Sequence, residues 1–236
     1  MFLFLILSFA LTCAPADAAA IPAGSTVAGK TLGEWSAQWW QWALSFPAAT
    51  NPVLDTTGNS ASLGDVGPVF FLAGTFSSTP VTRTFAVPAG KFIFFPLLSG
   101  FLSEEGSVAD MRARLATFVG NTTELHASID GVNIPNLFSH REVSPVFDIT
   151  LGPDNIFAAP PRVYTPSVSD GYWLMLEPLP SGNHTIRFGG TSEGNSDPTL
   201  GDLTVDVTYV VPEASTFLLA LYACVAIGVT RKLSRG

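Results

Sequence analysis

The sequence predicts a mainly β ectodomain, an antiparallel β-sandwich or jelly-roll-like fold with two short packed helices, followed by a single C-terminal transmembrane helix. Three features of the chain point that way. Charged residues are scarce while Phe (18), Gly (21) and Pro (18) abound, a composition suited to short strands and punctuated loops. Leu203, Val205, Val207 and Tyr209 alternate with Thr204, Asp206 and Thr208, the period of a strand with one buried face. Uncharged apolar runs close off both ends, leaving residues 21–210 as one domain with material for one core.

In chain order, residues 1–20 read as a signal peptide. Phe2 to Leu11 is uninterrupted and apolar, and Ala16-Asp17-Ala18 or Ala18-Ala19-Ala20 offers small residues to signal peptidase. No Lys or Arg precedes the run, so either the amino terminus alone supplies the positive charge or the start codon lies upstream of Met1. Thr31-Leu32-Gly33-Glu34 has the spacing of a capping box. It predicts a helix from about Leu32 to Phe46, with Leu32, Trp35, Trp39, Trp42 and Phe46 on one face and Trp40 off that stripe and exposed. A second helix is expected after Ser107, with Val108, Met111, Leu115 and Phe118 on its apolar side. Strands are expected near Val69–Phe76, Thr82–Val87, Lys91–Pro96, Glu124–Ile129, Val146–Leu151, Tyr172–Glu177, His184–Phe188 and Leu203–Val210. Asp130-Gly131 signals a tight turn, and Pro180 to Asn183 is expected to turn one strand into the next.

Cys13 falls in the leader and Cys224 in the apolar tail. The domain between has no thiol, which excludes disulfide stapling, thiol catalysis and Cys-based zinc sites there. The acidic balance provides no basic footprint for phosphates, so nucleic acid is not an expected partner.

The tail, residues 211–236, is the most specific segment. Val211-Pro212-Glu213-Ala214 leads into an apolar stretch over 216–230, and Arg231, Lys232 and Arg235 stand in the basic end over 231–236. A short apolar span followed by basic residues fits a stop-transfer segment with its end on the cytoplasmic side. The order Pro-Glu, small residues, short span and basic cluster resembles the PEP-CTERM sorting signal of exopolysaccharide-producing Gram-negative bacteria. There the motif usually reads Pro-Glu-Pro; here Ala214 holds the third place. The resemblance implies an exosortase-type processing enzyme as partner, passage through the inner membrane on the C-terminal helix, and a final location at the cell surface or in the extracellular matrix. The Trp-rich helix, the Phe-rich runs and Asp170-Gly171-Tyr172-Trp173 are also similar to uncharacterised exported bacterial proteins, a likeness that implies no activity.

Catalytic signatures are sparse. His126, His140 and His184 show no metal-ligand spacing, and neither a GxSxG elbow nor a phosphate loop occurs. His126 and His184 are expected on polar strand faces, and His140, beside Arg141 and Glu142, is the one with charged neighbours. Asp148, Glu177, Asp202 and Asp206 are the carboxylates a glycoside hydrolase could draw on. No cofactor is expected; Ca²⁺ has hard-oxygen loops at Asp55–Asn59 and Glu193–Asp202, without EF-hand spacing. Aromatic residues give the best sign of binding, since rings stack on sugar CH faces. Trp40, Tyr164, Tyr172 and Trp173 are the candidate glycan-binding residues. The expected role is that of an exported, surface- or matrix-associated protein, structural or glycan-binding and non-catalytic. A secreted carbohydrate-active hydrolase and a protein-binding adhesin are the alternatives.

Overall fold

The computed structural model describes residues 19–213 apart from Ser78. The leader and the tail from Ala214 onward lie outside the described residues, and with them the expected transmembrane helix. No helix among the described residues is long and apolar enough to cross a membrane.

The described residues are mainly β, with two α-helices. In chain order the elements are β1 (Thr26–Val27), β2 (Lys30–Thr31), α1 (Leu32–Leu44), β3 (Asp65–Val66), β4 (Val69–Phe71), β5 (Val81–Thr84) and β6 (Phe92–Ser103). Then follow α2 (Val108–Gly120), β7 (Thr122–Ile129), β8 (Val132–Asn133), β9 (Arg141–Val143), β10 (Phe147–Leu151), β11 (Arg162–Leu176), β12 (His184–Ser192) and β13 (Leu203–Val211). Besides the two-stranded pair β1–β2, one large sheet has the order β10-β11-β6-β4-β3, with β9 also pairing β11, and a second runs β5-β13-β12-β7-β8. The ladders are antiparallel except β4 with β6 and β13 with β5, which are parallel.

Alternation along the two long strands builds two cores. From β6, Ile93 and Phe95 face the second sheet, and from β11 so do Tyr172, Leu174 and Leu176. There they meet Ile186, Phe188, Val205 and Val207, with the Phe95 and Phe188 rings 4.3 Å apart. Phe94, Trp173 and Met175 point the other way, under α1. The central strands are therefore buried on both faces, which is why this stretch reads as a continuous apolar run.

Helix α1 starts as its sequence dictates. Glu34 N–H donates to Thr31 Oγ1, and the Thr31 N–H donates back to the Glu34 carboxylate at 2.8 Å. Ser107 and Asp110 make the same reciprocal cap on α2. The helix ends at Leu44, short of the expected Phe46. Trp35, Trp39 and Trp42 lie against the first sheet, and each indole N–H donates to a backbone carbonyl: Val27, Leu72 and Leu63. Trp40 departs from expectation. It is only 3% exposed, because β6 extends past the helix flank and places Phe101 against it at 4.5 Å.

Several expected boundaries also differ, each for a local reason. β5 stops at Thr84 rather than Val87, where its parallel partner β13 runs out. β11 begins at Arg162, well before the expected Tyr172, because β10 and β6 supply ladder partners there, and β12 runs past Phe188 to Ser192 between β7 and β13. The strand expected over Val69–Phe76 stops at Phe71, since the carbonyls of Leu72, Ala73 and Gly74 accept from Trp39 and Arg83 side chains instead of a ladder. Pro96 does not end β6. A bulge at Leu97, between the pairs Tyr172–Leu98 and Trp173–Pro96, absorbs the missing donor and lets the strand run to Ser103. The Pro180–Asn183 segment is no hairpin: β11 and β12 lie in different sheets, and the chain crosses between layers there. Asp130-Gly131 does form the tight turn, with φ of 52° and 81° and Ile129 facing Val132.

Candidate functional site

The four aromatic candidates divide. Tyr172 and Trp173 are buried in β11, one on each side of the first sheet, so neither offers a ring to a ligand. As binding residues both therefore fail, because both faces of this strand are covered. Trp40 and Tyr164, by contrast, line one groove of about 430 Å³. Its floor is the end of β6 from Ser99 to Ser103; its walls are the segment with Phe157 and Tyr164, and the segment from Thr199 to Leu203.

The groove is a ladder of rings. Trp40 packs on Phe101, and Phe101 lies 5.9 Å from Phe157, which is 48% exposed. Phe76, also well exposed, completes the rim. Tyr164 is held in place by the Arg162 guanidinium 3.7 Å over its ring and by its hydroxyl donating to the Pro160 carbonyl at 3.0 Å. Trp40 Nε1 is buried with no partner. Ser99, Ser103, Thr199 and the Glu105 and Asp202 carboxylates are among the polar groups of the lining. Phe76, Phe101 and Phe157 were not singled out by sequence. In a chain with 18 Phe, no local pattern separates a rim ring from a core ring.

Two neighbouring carboxylates fasten the walls. Glu104 accepts from Arg162 through both oxygens, at 2.8 and 2.6 Å, and from the Thr165 N–H at 3.0 Å. Those bonds pull its pKa down to about 2. Glu105 accepts from Arg114 and from Thr199 Oγ1, and Arg114 also grips Asp197 at 2.6 and 2.9 Å. Chiefly through Arg114, Asp197 is held well below the usual carboxylate range.

The carboxylates weighed for hydrolysis do not converge. Asp202 lines the groove and accepts the Asn195 N–H; Asp206 forms a two-bond pair with Arg187 on the second sheet, with His126 3.4 Å away; Asp148 and Glu177 line no cleft described here. Every carboxyl group whose pKa departs from its ordinary value is shifted down, among them Asp55, Asp130, Asp197 and Asp206. A general acid needs the opposite shift.

The calcium loops use their oxygens internally. Asp55 accepts the N–H groups of Thr57, Gly58 and Ser60, and Asp197 those of Thr199 and Leu200 as well as Arg114. Among the described residues no group of three or more potential metal ligands occurs.

Of the sorting motif, Pro212 and Glu213 are described; Ala214, Arg231, Lys232 and Arg235 lie outside the described residues. The motif follows β13 without a linker, and the Glu213 N–H donates to Asn183 Oδ1 at 2.9 Å. At the other end Ala20 bridges Leu176, and the Glu177 N–H donates to the Ala19 carbonyl. Both ends of the described chain thus flank the β11–β12 crossing. The groove lies toward the far end of β11, and the stretch from Tyr164 to Leu176, at about 3.3 Å per residue, spans roughly 40 Å.

Comparison with protein-family models, with curated proteins and with solved structures finds no match for this chain.

Proposed function

We propose that this protein is an exported, surface- or matrix-associated binding protein, with a sandwich-like ectodomain sorted through its PEP-CTERM-like tail and a glycan seated in the ring-lined groove. The observation that carries the binding reading is the ladder Trp40–Phe101–Phe157 with Tyr164 on the same wall as Phe157. The half-open rings of Phe76 and Phe157, backed by buried Trp40, offer flat apolar faces to the CH faces of a sugar, while Ser103, Thr199 and Asp202 can take its hydroxyls. Placement supports it. A domain tethered through its C-terminal tail by a transmembrane helix would turn this groove away from the membrane, because both ends of the described residues lie at the opposite pole.

Two experiments test the two halves. Intact-mass analysis of protein from the native host's surface and medium should give a product ending near Pro212 or Glu213. A membrane-bound chain that retains Arg235 would sink the processing claim. Titration of the protein with the host's exopolysaccharide should quench tryptophan fluorescence, and Phe157→Ala or Tyr164→Ala should weaken binding about tenfold, or about 1.4 kcal/mol. Unchanged affinity in both variants would remove the groove from the reading.

A further inference from the structure

At the pole where the described chain begins and ends lies a second cleft, of about 680 Å³. The N-terminal segment, the β7–β8 turn, the loop leading to His140 and the β11–β12 crossing form its walls. His140 is 7% exposed, and its Nδ1 is sealed off with no partner. Burial pushes the pKa of this ring down, which keeps it neutral near pH 7. With Nδ1 enclosed, Nε2 is the ring nitrogen left to meet the cleft. A metal-ligating imidazole ordinarily has its second nitrogen fixed by an acceptor. Nδ1 has none, so the ring is not prepared for a cation.

Across the cleft, the charges are already matched. Asp130 takes His184 Nδ1 at 2.7 Å on one oxygen and the Thr185 N–H at 2.7 Å on the other, while His184 Nε2 faces the Pro180 carbonyl at 3.0 Å. An anionic ligand would find no free cation in the lining, and a cationic one no free carboxylate. A hydrocarbon would leave the buried His140 ring without a partner and would make no use of the exposed amides of Asn133 and Asn136, whose side chains bond no described residue. Each of those amides presents a donor beside an acceptor, which suits a pair of adjacent hydroxyls. Strand-type pairing with a peptide is poorly provided for, because β8 is two residues long.

We propose that this cleft is a second ligand site, for a neutral sugar residue, with Asn133, Asn136 and His140 bonding its hydroxyls and Ile134 and Pro135 under its apolar face. It is separate from the groove, so the domain would hold two glycan segments at opposite poles and could cross-link them. The site itself stands on the cleft's own residues; only the cross-linking rests on the groove reading.

The chain has three histidines, so its imidazole C–H proton signals are few enough to follow singly, with His140→Gln assigning one of them. Titrating the full chain with cellotriose, maltotriose or chitotriose should move the His140 signal and leave that of His126 still. The shift should persist in Phe157→Ala and need at least about tenfold more saccharide in Asn133→Ala/Asn136→Ala, both exposed positions. The site is overturned if none of the three sugars moves His140 at millimolar concentration. It is equally overturned if only a charged oligouronate or a peptide does so, or if the double variant responds like the parent. Loss of groove binding with the His140 response intact would instead count against the groove alone.

Discussion

β6 and β11 carry different chemistry on their two faces. Toward the second sheet the packing is mainly aliphatic, with Leu98, Leu102, Leu174 and Ile186 around Phe95 and Phe188. Toward α1 it is aromatic: Trp39 lies 5.5 Å from Trp173, which stacks on Phe94 at 5.2 Å with planes 6° apart. The inner core is held by non-directional burial, whereas the outer one adds directional bonds from three indole N–H groups. A helix with bare carbonyls beneath it can be located by such bonds; two facing sheets are located mainly by shape, with the Tyr209 hydroxyl adding bonds to Ala73 and Arg83. Sharing the same strands, the two cores should stand or fall together.

The severest test of that coupling is Trp173→Ala, which should cost about 3–5 kcal/mol, as should Phe188→Ala on the other face. Urea unfolding followed by tryptophan fluorescence and by far-ultraviolet circular dichroism should remain coincident in both variants. Separate transitions would show that the α1 layer melts on its own.

Next in size is Arg83→Met. The guanidinium is 1% exposed and donates to the carbonyls of Asp55, Ala73 and Gly74 and to the Tyr209 hydroxyl, with no carboxylate in its set of partners. It ties the segments flanking α1 to the inner core. Removing it leaves several buried acceptors empty and should cost about 3 kcal/mol by denaturant titration. A cost near zero would mean that those segments reach water.

Smaller, and sharper as a comparison, is the pair Trp39→Phe and Trp40→Phe. The first loses a bond to the Leu72 carbonyl and should cost about 1 kcal/mol; the second loses an N–H that bonds nothing and should change stability by less than about 0.5 kcal/mol. Equal costs would refute the claim that directional indole bonds hold the outer layer.

The smallest effect concerns the groove walls. Glu104 and Asp197 titrate below their unfolded values, so the stability they contribute is present at neutral pH and above about 4.5, and declines as pH falls toward about 2. Thermal melts should show a shallow loss over that window, reduced in Glu104→Gln. Both groups are near the surface, so high salt should diminish it too.

Much of this was legible in the chain. Thr31 with Glu34, Ser107 before Val108, Asp130-Gly131 and the Leu203–Tyr209 alternation are local signals, and each fixes a few backbone angles from side chains within four residues. The groove was half legible. Trp40 and Tyr164 line the same groove, but beside Phe rings that carry no local signature. Tyr172 and Trp173 were misread because a strand's alternation tells which residues share a face, never whether both faces are covered.

By itself, then, the sequence determined the β-rich class, the two capped helices, the tight turn and the alternating strand, since capping, turn and pleat geometry act between residues close along the chain. Only the tertiary structure decided that β6 continues past Pro96, that Arg83 replaces a ladder, that the Pro180–Asn183 segment crosses between sheets, and that rings from four separate segments enclose one groove. Those outcomes depend on which distant carbonyl or apolar face happens to lie opposite, and a one-dimensional pattern does not encode that.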